Sequence, residues 1–463
     1  VRQNVLSAGR QACRRDVVFL FLSLVASSCG TPAPTAPPAN TQTAAALSSP
    51  SALPSATPSP PRPGFAVARS RLVAGDHITC LLREGEVFCW GRGEDGVPGQ
   101  GNKLDLGDVP GALSRAAPID FGRRKGARET ATVLGVGARH ACAALAPLPG
   151  ERNARLACWG YAHALGLADN RGDSPGELGD AWPKIDMGEG TILSLAAGIK
   201  YTCALVEDGA AREVRCFGEI PGGKERFVPV QAVDFGTKAR PFAMAAGNLS
   251  LSVAFEDGHV RSIGVVGKDV LDAPNTHVGT ELLVPLPGRT LALVGGAGGS
   301  CARGEDGSLR CWDFLDGGAI GHRHCPVVSA PISLGKGLRA VSMATSGSRF
   351  CAIVEGESAA PRVKCWGINQ LGALGVGDDL DRCKSESLGD ALPFVDLGTN
   401  SPVEEIAVGA SHTCALFGGA DAGRVKCWGA GIFGELGIGE KNRSFGRSSD
   451  TMGSHLPFVS LPR

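Results

Sequence analysis

Sixteen cysteines are the residues of this 463-residue chain with the most obvious chemistry. Twelve fall into couples around short spans. In CLLREGEVFC, a two-residue turn at Glu84-Gly85 sets 83 against 86 and, counting outward, Cys80 against Cys89. Hydrogen-bonded and non-hydrogen-bonded pairs alternate along such a ladder. Cys80 and Cys89 fall on a non-hydrogen-bonded pair, where strands approach most closely and a disulfide fits. Cys301 and Cys311 flank a three-residue loop, Glu305-Asp306-Gly307, which places them opposite one another in the same way. Longer turns lie between Cys142 and Cys158, Cys203 and Cys216, Cys351 and Cys365, and Cys414 and Cys427. Six cross-strand disulfides are expected. Free buried thiols are the alternative, and zinc is disfavoured because no C-x-x-C occurs.

Two cysteines of the same region stand apart. GHRHC offers His322, His324 and Cys325, and DDLDRC offers Asp378, Asp379, Asp381 and Cys383. Histidine with cysteine can hold zinc, but three near-contiguous ligands are hard to aim at one ion. A seventh bridge, Cys325 to Cys383, stapling neighbouring units is the favoured reading. No metal and no cofactor are expected.

The amino-terminal cysteines read as an address. Arg2, Arg10, Arg14 and Arg15 precede VVFLFLSLVA (17–26), which is too short to span a bilayer and suits a signal-peptide core. It runs into Cys29-Gly30, which resembles a bacterial lipobox with Ala26 where Leu is usual. Residues 1–28 are expected to be a signal peptide and Cys29 the lipid anchor, with an ordinary secreted protein as the alternative. Gly30 rather than Asp after the cysteine resembles outer-membrane sorting. Residues 29–64 are Pro, Ala, Ser and Thr with almost no charge, an extended linker. The chain opens with Val, as an alternative start codon translated literally would read. Export to an oxidising compartment fits the cysteine content.

The elements that must position the cysteines repeat along residues 65–463. A small-residue strand, a glycine and a cysteine recur as LVAGDHITCLL (72–82), VLGVGARHACAAL (133–145), LSLAAGIKYTCAL (193–205) and EIAVGASHTCALF (405–417). The first-cysteine position is occupied at Cys80, Cys142, Cys203, Ser252, Cys301, Cys351 and Cys414, so there are seven units. Each continues into a second element such as VFCWG, LACWG or VKCWG, often a third such as LGALGVG, and a proline-led fourth such as APIDFG or LPFVDLG. In unit four Ser252 and Ser262 replace both cysteines together, as a paired requirement predicts.

A unit of about 50–60 residues reading G-x-x-H-x-C-A-L, C-W-G and L-G-x-G resembles the regulator of chromosome condensation repeat family. The nearest copies are 409–439 and 365–377, and the resemblance covers residues 65–463. It implies an all-β fold, a seven-bladed β-propeller of four-stranded antiparallel blades. The count of four strand-like elements in seven units agrees. Units two to five depart from the motif and are expected to be irregular. LPFVSLP (456–462) is expected to pair into the first blade and close the ring.

Trp90, Trp159, Trp366 and Trp428 are expected to pack between blades, and His140 and His412 to make structural hydrogen bonds. Insertions at 91–117, 161–181, 368–391 and 122–130 mark a binding surface if they share a face. Arg123, Arg124, Lys125 and Arg128, and the three aspartates of 378–381, are expected in solvated loops.

Forty-six basic and forty-six acidic residues cancel, which argues against nucleic acid. No zincin, nucleophile-elbow, phosphate-loop or dinucleotide motif occurs. The expectation is a monomeric protein-binding scaffold, attached to the membrane only through its lipid. A hydrolase with a site on the propeller face and an adhesive envelope component are the alternatives. Carboxylates converging on the central channel would favour the hydrolase.

Overall fold

The computed structural model divides into two units, Val1–Arg62 and Pro63–Arg463. It describes residues 71–221, 227–264, 280–282, 289–296, 299–313, 331–346, 349–356 and 359–462. The expected signal peptide, the linker, Cys29, His322, His324 and Cys325 lie outside these residues.

Each of the seven repeats forms one antiparallel sheet whose strands pair in chain order. In the third repeat the strands are Thr191–Ala197, Tyr201–Asp208, Ala211–Gly218 and Val228–Ala232. Two second strands, His140–Leu145 and His412–Phe417, are buried at every residue. A strand covered on both faces must be apolar throughout, which explains the A-C-A-A-L and T-C-A-L-F runs. The first strands carry a bulge at a matched place in six repeats, for instance between Ala131 and Val133 and between Val403 and Glu405. Bulges there increase the local twist of each sheet.

The first strands of all seven sheets line one channel of about 210 Å³, from Leu72–Ala74 round to Ile406–Val408. Neighbouring first strands pack around it, the seventh against the first. Backbone bonds tie the turns at its mouth: Asp76 N–H to Ala138 O (3.4 Å), Ala138 N–H to Gly198 O (3.3 Å) and Ala410 N–H to Gly75 O (3.3 Å). The architecture is a β-propeller.

Two expectations about the sheets need correction. Repeats two, three and four, although their motifs are degraded, each form a four-stranded sheet, with the expected irregularity confined in repeats two and three to register shifts at Asn153/Arg155 and Cys216/Gly218 and the first-strand bulge. Repeats one, five and six show three strands among the described residues. Their proline-led elements do lie beside the third strand, but each makes only one ladder contact: Ile119 N–H to Val87 O, Ile332 N–H to Leu309 O and Val395 N–H to Val363 O (2.8–2.9 Å). Proline lacks a donor and fixes φ, so such an element reads as a strand in sequence yet pairs poorly.

The carboxy-terminal segment does not cross into the first sheet. Val459 N–H donates to Val425 O (2.8 Å) and Phe458 bridges Lys426, so the segment covers its own repeat. In repeats one, two and six the third strand's outer edge is covered in two halves. The proline-led element takes one end, and a hook from the preceding connection takes the other, as with Leu106 on Gly91, Arg171 on Gly160 and Arg382 on Gly367. The glycine of C-W-G is needed at that hook. Gly91 has φ +115°, and a Cβ there would sit 2.1 Å from His77 O.

Candidate binding face

Six cysteine pairs stand directly opposite in the strand register: 80–89, 142–158, 203–216, 301–311, 351–365 and 414–427. Their Cα atoms are 4.0–4.1 Å apart and all six are disulfide-bonded. That closeness is the signature of non-hydrogen-bonded positions. Ser252 and Ser262 hold the matched positions in repeat four and share a 2.7 Å hydrogen bond instead. Cys383 is disulfide-bonded, so its thiolate is not free for a metal. No group of metal-holding side chains occurs among the described residues.

The motif residues between the sheets act as clamps. Trp90 Nε1–H donates to Glu435 O of repeat seven (2.9 Å), Trp159 to Val97 O of repeat one (2.8 Å), and Trp428 to Ala373 O of repeat six (3.1 Å). Trp366 stacks on Phe350, with ring centroids 5.8 Å apart. His140 Nε2 shares a hydrogen bond with Thr202 of the next repeat (2.8 Å), and His412 Nε2 with Thr79 of the first (2.7 Å). Both imidazoles are fully buried, and burial pushes them down to about 4. Neutral at physiological pH and sealed from solvent, they bridge sheets and have no access to a substrate.

Two clamps escaped the sequence reading. Arg349 occupies the His140 position in repeat six and donates to Ile368 O (3.3 Å), Gly409 O (3.1 Å) and Ala410 O (3.3 Å). Burial pushes its guanidinium down to about 10. The residue before the second cysteine is basic in five repeats and reaches the outer element of the preceding one. Lys426 Nζ donates to Leu397 O (2.7 Å), Lys364 Nζ to Leu334 O (2.7 Å), and Arg215 to Met187 O (2.6 Å). The recurring K/R-C was a visible signal; its partners lie in another repeat.

The two edges of the ring differ. Second strands begin and third strands end at one edge, as the pairs Ile78–Gly91, His140–Gly160 and Arg349–Gly367 show. Insertions 91–117, 161–181 and 368–391 all leave that edge. The fourth insertion, 122–130, forms a small ribbon, Arg123–Arg124 with Ala127–Arg128, at the opposite edge by Gly85. Its charges are paired, Arg128 with Glu86 and Lys125 with Glu151. The acidic loop is wired as well: Asp378 pairs with Arg382, Asp379 with Arg447, and Asp381 accepts Asn369 N–H (2.7 Å). Both loops are solvent-exposed, as expected, and their charges are paired within that exposed setting.

On the insertion-bearing edge a continuous line of rings and charges crosses repeats seven, one and two. The His77 ring meets Phe433 edge-on at 5.0 Å. Arg92 lies over Phe433 at 5.1 Å and pairs with Glu94. Arg139 holds the buried Asp95 with two 2.7 Å bonds and lies over Tyr161 at 4.7 Å. Tyr161 faces His163 at 5.3 Å. Burial holds the Asp76 carboxyl above the usual range, against the pull of His77, Arg139 and Arg92. On the same edge, Leu104 in repeat one is 72% exposed, Leu380 in repeat six 66% and Leu249 in repeat four 53%. Large apolar groups in water on a face lined with aromatic and arginine side chains suit capture of another surface.

Catalysis is poorly served there. His77 Nδ1–H donates to Glu435 Oε1 (3.0 Å), and the same nitrogen lies 3.4 Å from Ser411 Oγ. Both partners meet the same ring nitrogen, whereas a relay needs one on each. Thr345 carries the single polar side chain among the described channel-lining residues, and no carboxylate converges there.

No family model matches the chain. The ultraviolet-B receptor UVR8 of Arabidopsis thaliana is 24% identical over 385 residues, 80% of this chain and 79% of that protein. The solved structure of Prp20p from Saccharomyces cerevisiae superposes with a TM-score of 0.56 at 17% identity, over 83% of this chain and 86% of that one. The same yeast protein, named RCC1 in a structure with Kap60, matches 85% of this chain and 88% of its own at the same TM-score. These similarities span most of the chain and support its resemblance to the regulator of chromosome condensation repeat family. Human WBSCR16 shares the fold with a TM-score of 0.53 at 19% identity, over 78% of this chain and 92% of that one. The family motifs here serve the ring: Trp and His of the repeat join its sheets, and the cysteine pairs lock each hairpin.

Proposed function

We propose that this protein is an exported bacterial propeller that captures a protein partner and performs no chemistry of its own. It is anchored in the outer membrane through Cys29, or secreted. The carrying observation is the line His77–Phe433–Arg92–Arg139–Tyr161 on the insertion-bearing edge, where Leu104 and Leu380 are also exposed. Aromatic and arginine side chains dominate binding energy in protein interfaces. Support comes also from the family: Prp20p is described with binding properties toward Gsp1p and histones, and with Kap60 bound. Those partners belong to that protein; the balanced charge here argues for a protein rather than a nucleic acid.

Affinity capture from envelope extract, with the wild type beside Phe433→Ala/Tyr161→Ala and an opposite-edge control, Arg124→Ala, tests the reading. A partner retained by wild type and control and lost by the double variant supports it. Equal retention by all three proteins contradicts it. Cys29→Ser should abolish metabolic labelling with palmitate; persistent labelling would count against the anchor.

A further inference from the structure

A second site lies on the other edge, independent of the docking face. A cavity of about 360 Å³ opens between repeats six and seven, within the range of small-molecule pockets. Its floor is apolar and buried: Val363, Val395, Leu397, Val403 and Phe417. Ala360 and Pro361 form a wall too small to fill it. Its roof is the arc Thr399–Ser401, held in place because both hydroxyls donate to Asp421 Oδ2 (2.7 and 2.9 Å).

One cation stands at the rim. The Arg362 guanidinium lies over Phe394 at 3.7 Å, is exposed, and has no carboxylate partner among the described residues. Its counterpart three residues before the second cysteine of repeat seven, Arg424, lies over Phe458 at 3.4 Å but pairs with Asp421 (2.9 Å). Counting back six from that cysteine gives Asp421 in repeat seven and Ala359 in repeat six. At that position the repeat thus gives the arginine a carboxylate in repeat seven and an alanine in repeat six, above an apolar floor. Asp396, also in the wall, turns its carboxylate to the Gly398 N–H (2.9 Å).

We infer that this cavity binds a small monocarboxylate with an apolar body, its carboxylate on Arg362 and its body on Val403 and Phe417. A planar guanidinium already stacked on a ring is preorganised for a two-point grip on a carboxylate. The ligand chemistry has two sources, a free organic acid or the carboxy-terminal residue of a peptide.

Titration of the whole protein with 3-phenylpropionate, observed by ligand-detected NMR, tests this against 3-phenylpropionamide. The acid should saturate, and the neutral amide should bind roughly tenfold or more weakly, as loss of a charge-assisted bond implies. Arg362→Gln, at an exposed position, should bring the acid to the level of the amide, and Arg362→Lys should restore part of the difference. A phenylalanine-terminated peptide with a free carboxylate, set against its amidated form, separates the two sources: tighter binding than the acid assigns a chain end, weaker binding a free acid. Equal binding of acid and amide, no saturation by the acid, or an Arg362→Gln variant that binds as the wild type does would overturn the inference. Capture of a protein partner would be untouched by any of these results.

Discussion

Acid should loosen the two histidine seams. His140 and His412 are neutral and buried, with folded-state values of about 4 against 6.5 in the unfolded chain. A lowered histidine value means that the unfolded state takes up protons first as pH falls. Stability contributed by the neutral rings is therefore full above 6.5 and is lost between about 6.5 and 4. Each seam stands to lose about 3 kcal/mol at the lower limit. His412→Gln, which keeps a hydrogen-bonding group toward Thr79, should shrink the shift in urea midpoint between pH 7 and pH 4.5. A variant as acid-sensitive as the wild type would count against this origin. Arg349, at the same repeat position, was not legible as a clamp because nothing local distinguishes a buried arginine from a surface one. The carbonyls that receive it belong to the next repeat.

Hairpins were the most legible elements. Register within one is set by turn length and hydrogen-bond parity, both local, and that is why the cysteine spacing alone named the six bridges now seen. Repeat four offers the converse test. Ser252 and Ser262 sit in cysteine register and 2.7 Å apart at their hydroxyls. Ser252→Cys/Ser262→Cys should oxidise spontaneously, leave no titratable thiol at these positions, and stabilise by about 2–3 kcal/mol. Two free thiols in the air-oxidised double variant would contradict the register. Outer elements were less legible. Proline-led segments have strand composition, yet their pairing is decided by which half of the third strand the preceding hook has already covered. Removing residues from Leu456 onward should lower the melting temperature by uncovering Val425 and Phe417 of the same repeat, while the His412–Thr79 seam between repeats seven and one stays protected in hydrogen exchange. Loss of protection at that seam would favour the crossing-strand closure instead.

At the scale of the molecule, the number of repeats and the channel they enclose were legible because repetition is visible without any structure. The proposed docking face was legible only as a set of insertions. Its line of rings is assembled from repeats seven, one and two, and the juxtaposition of Phe433 with Arg92 depends on the ring closing between the last repeat and the first. The K/R-C clamps and the tryptophan clamps run the same way around the ring, each repeat reaching back to its predecessor. The tryptophan clamps of repeats one, two and seven share one direction, with Trp90 on Glu435 as the closing instance. Trp90→Phe keeps the packing but removes the indole N–H, and should cost about 1–3 kcal/mol, because it leaves a buried carbonyl unpaired. An unchanged denaturation midpoint would show that the closing seam holds by apolar contact alone.

The central claim is that the insertion-bearing edge is where a protein partner docks. Hydrogen exchange on the propeller, alone and with its captured partner, tests it most directly. The account predicts new protection at residues 76–77, 92–95, 139, 161–163 and 432–435, with the 122–130 ribbon unaffected. Protection confined to the 122–130 edge, or none at all in a saturated complex, would contradict it.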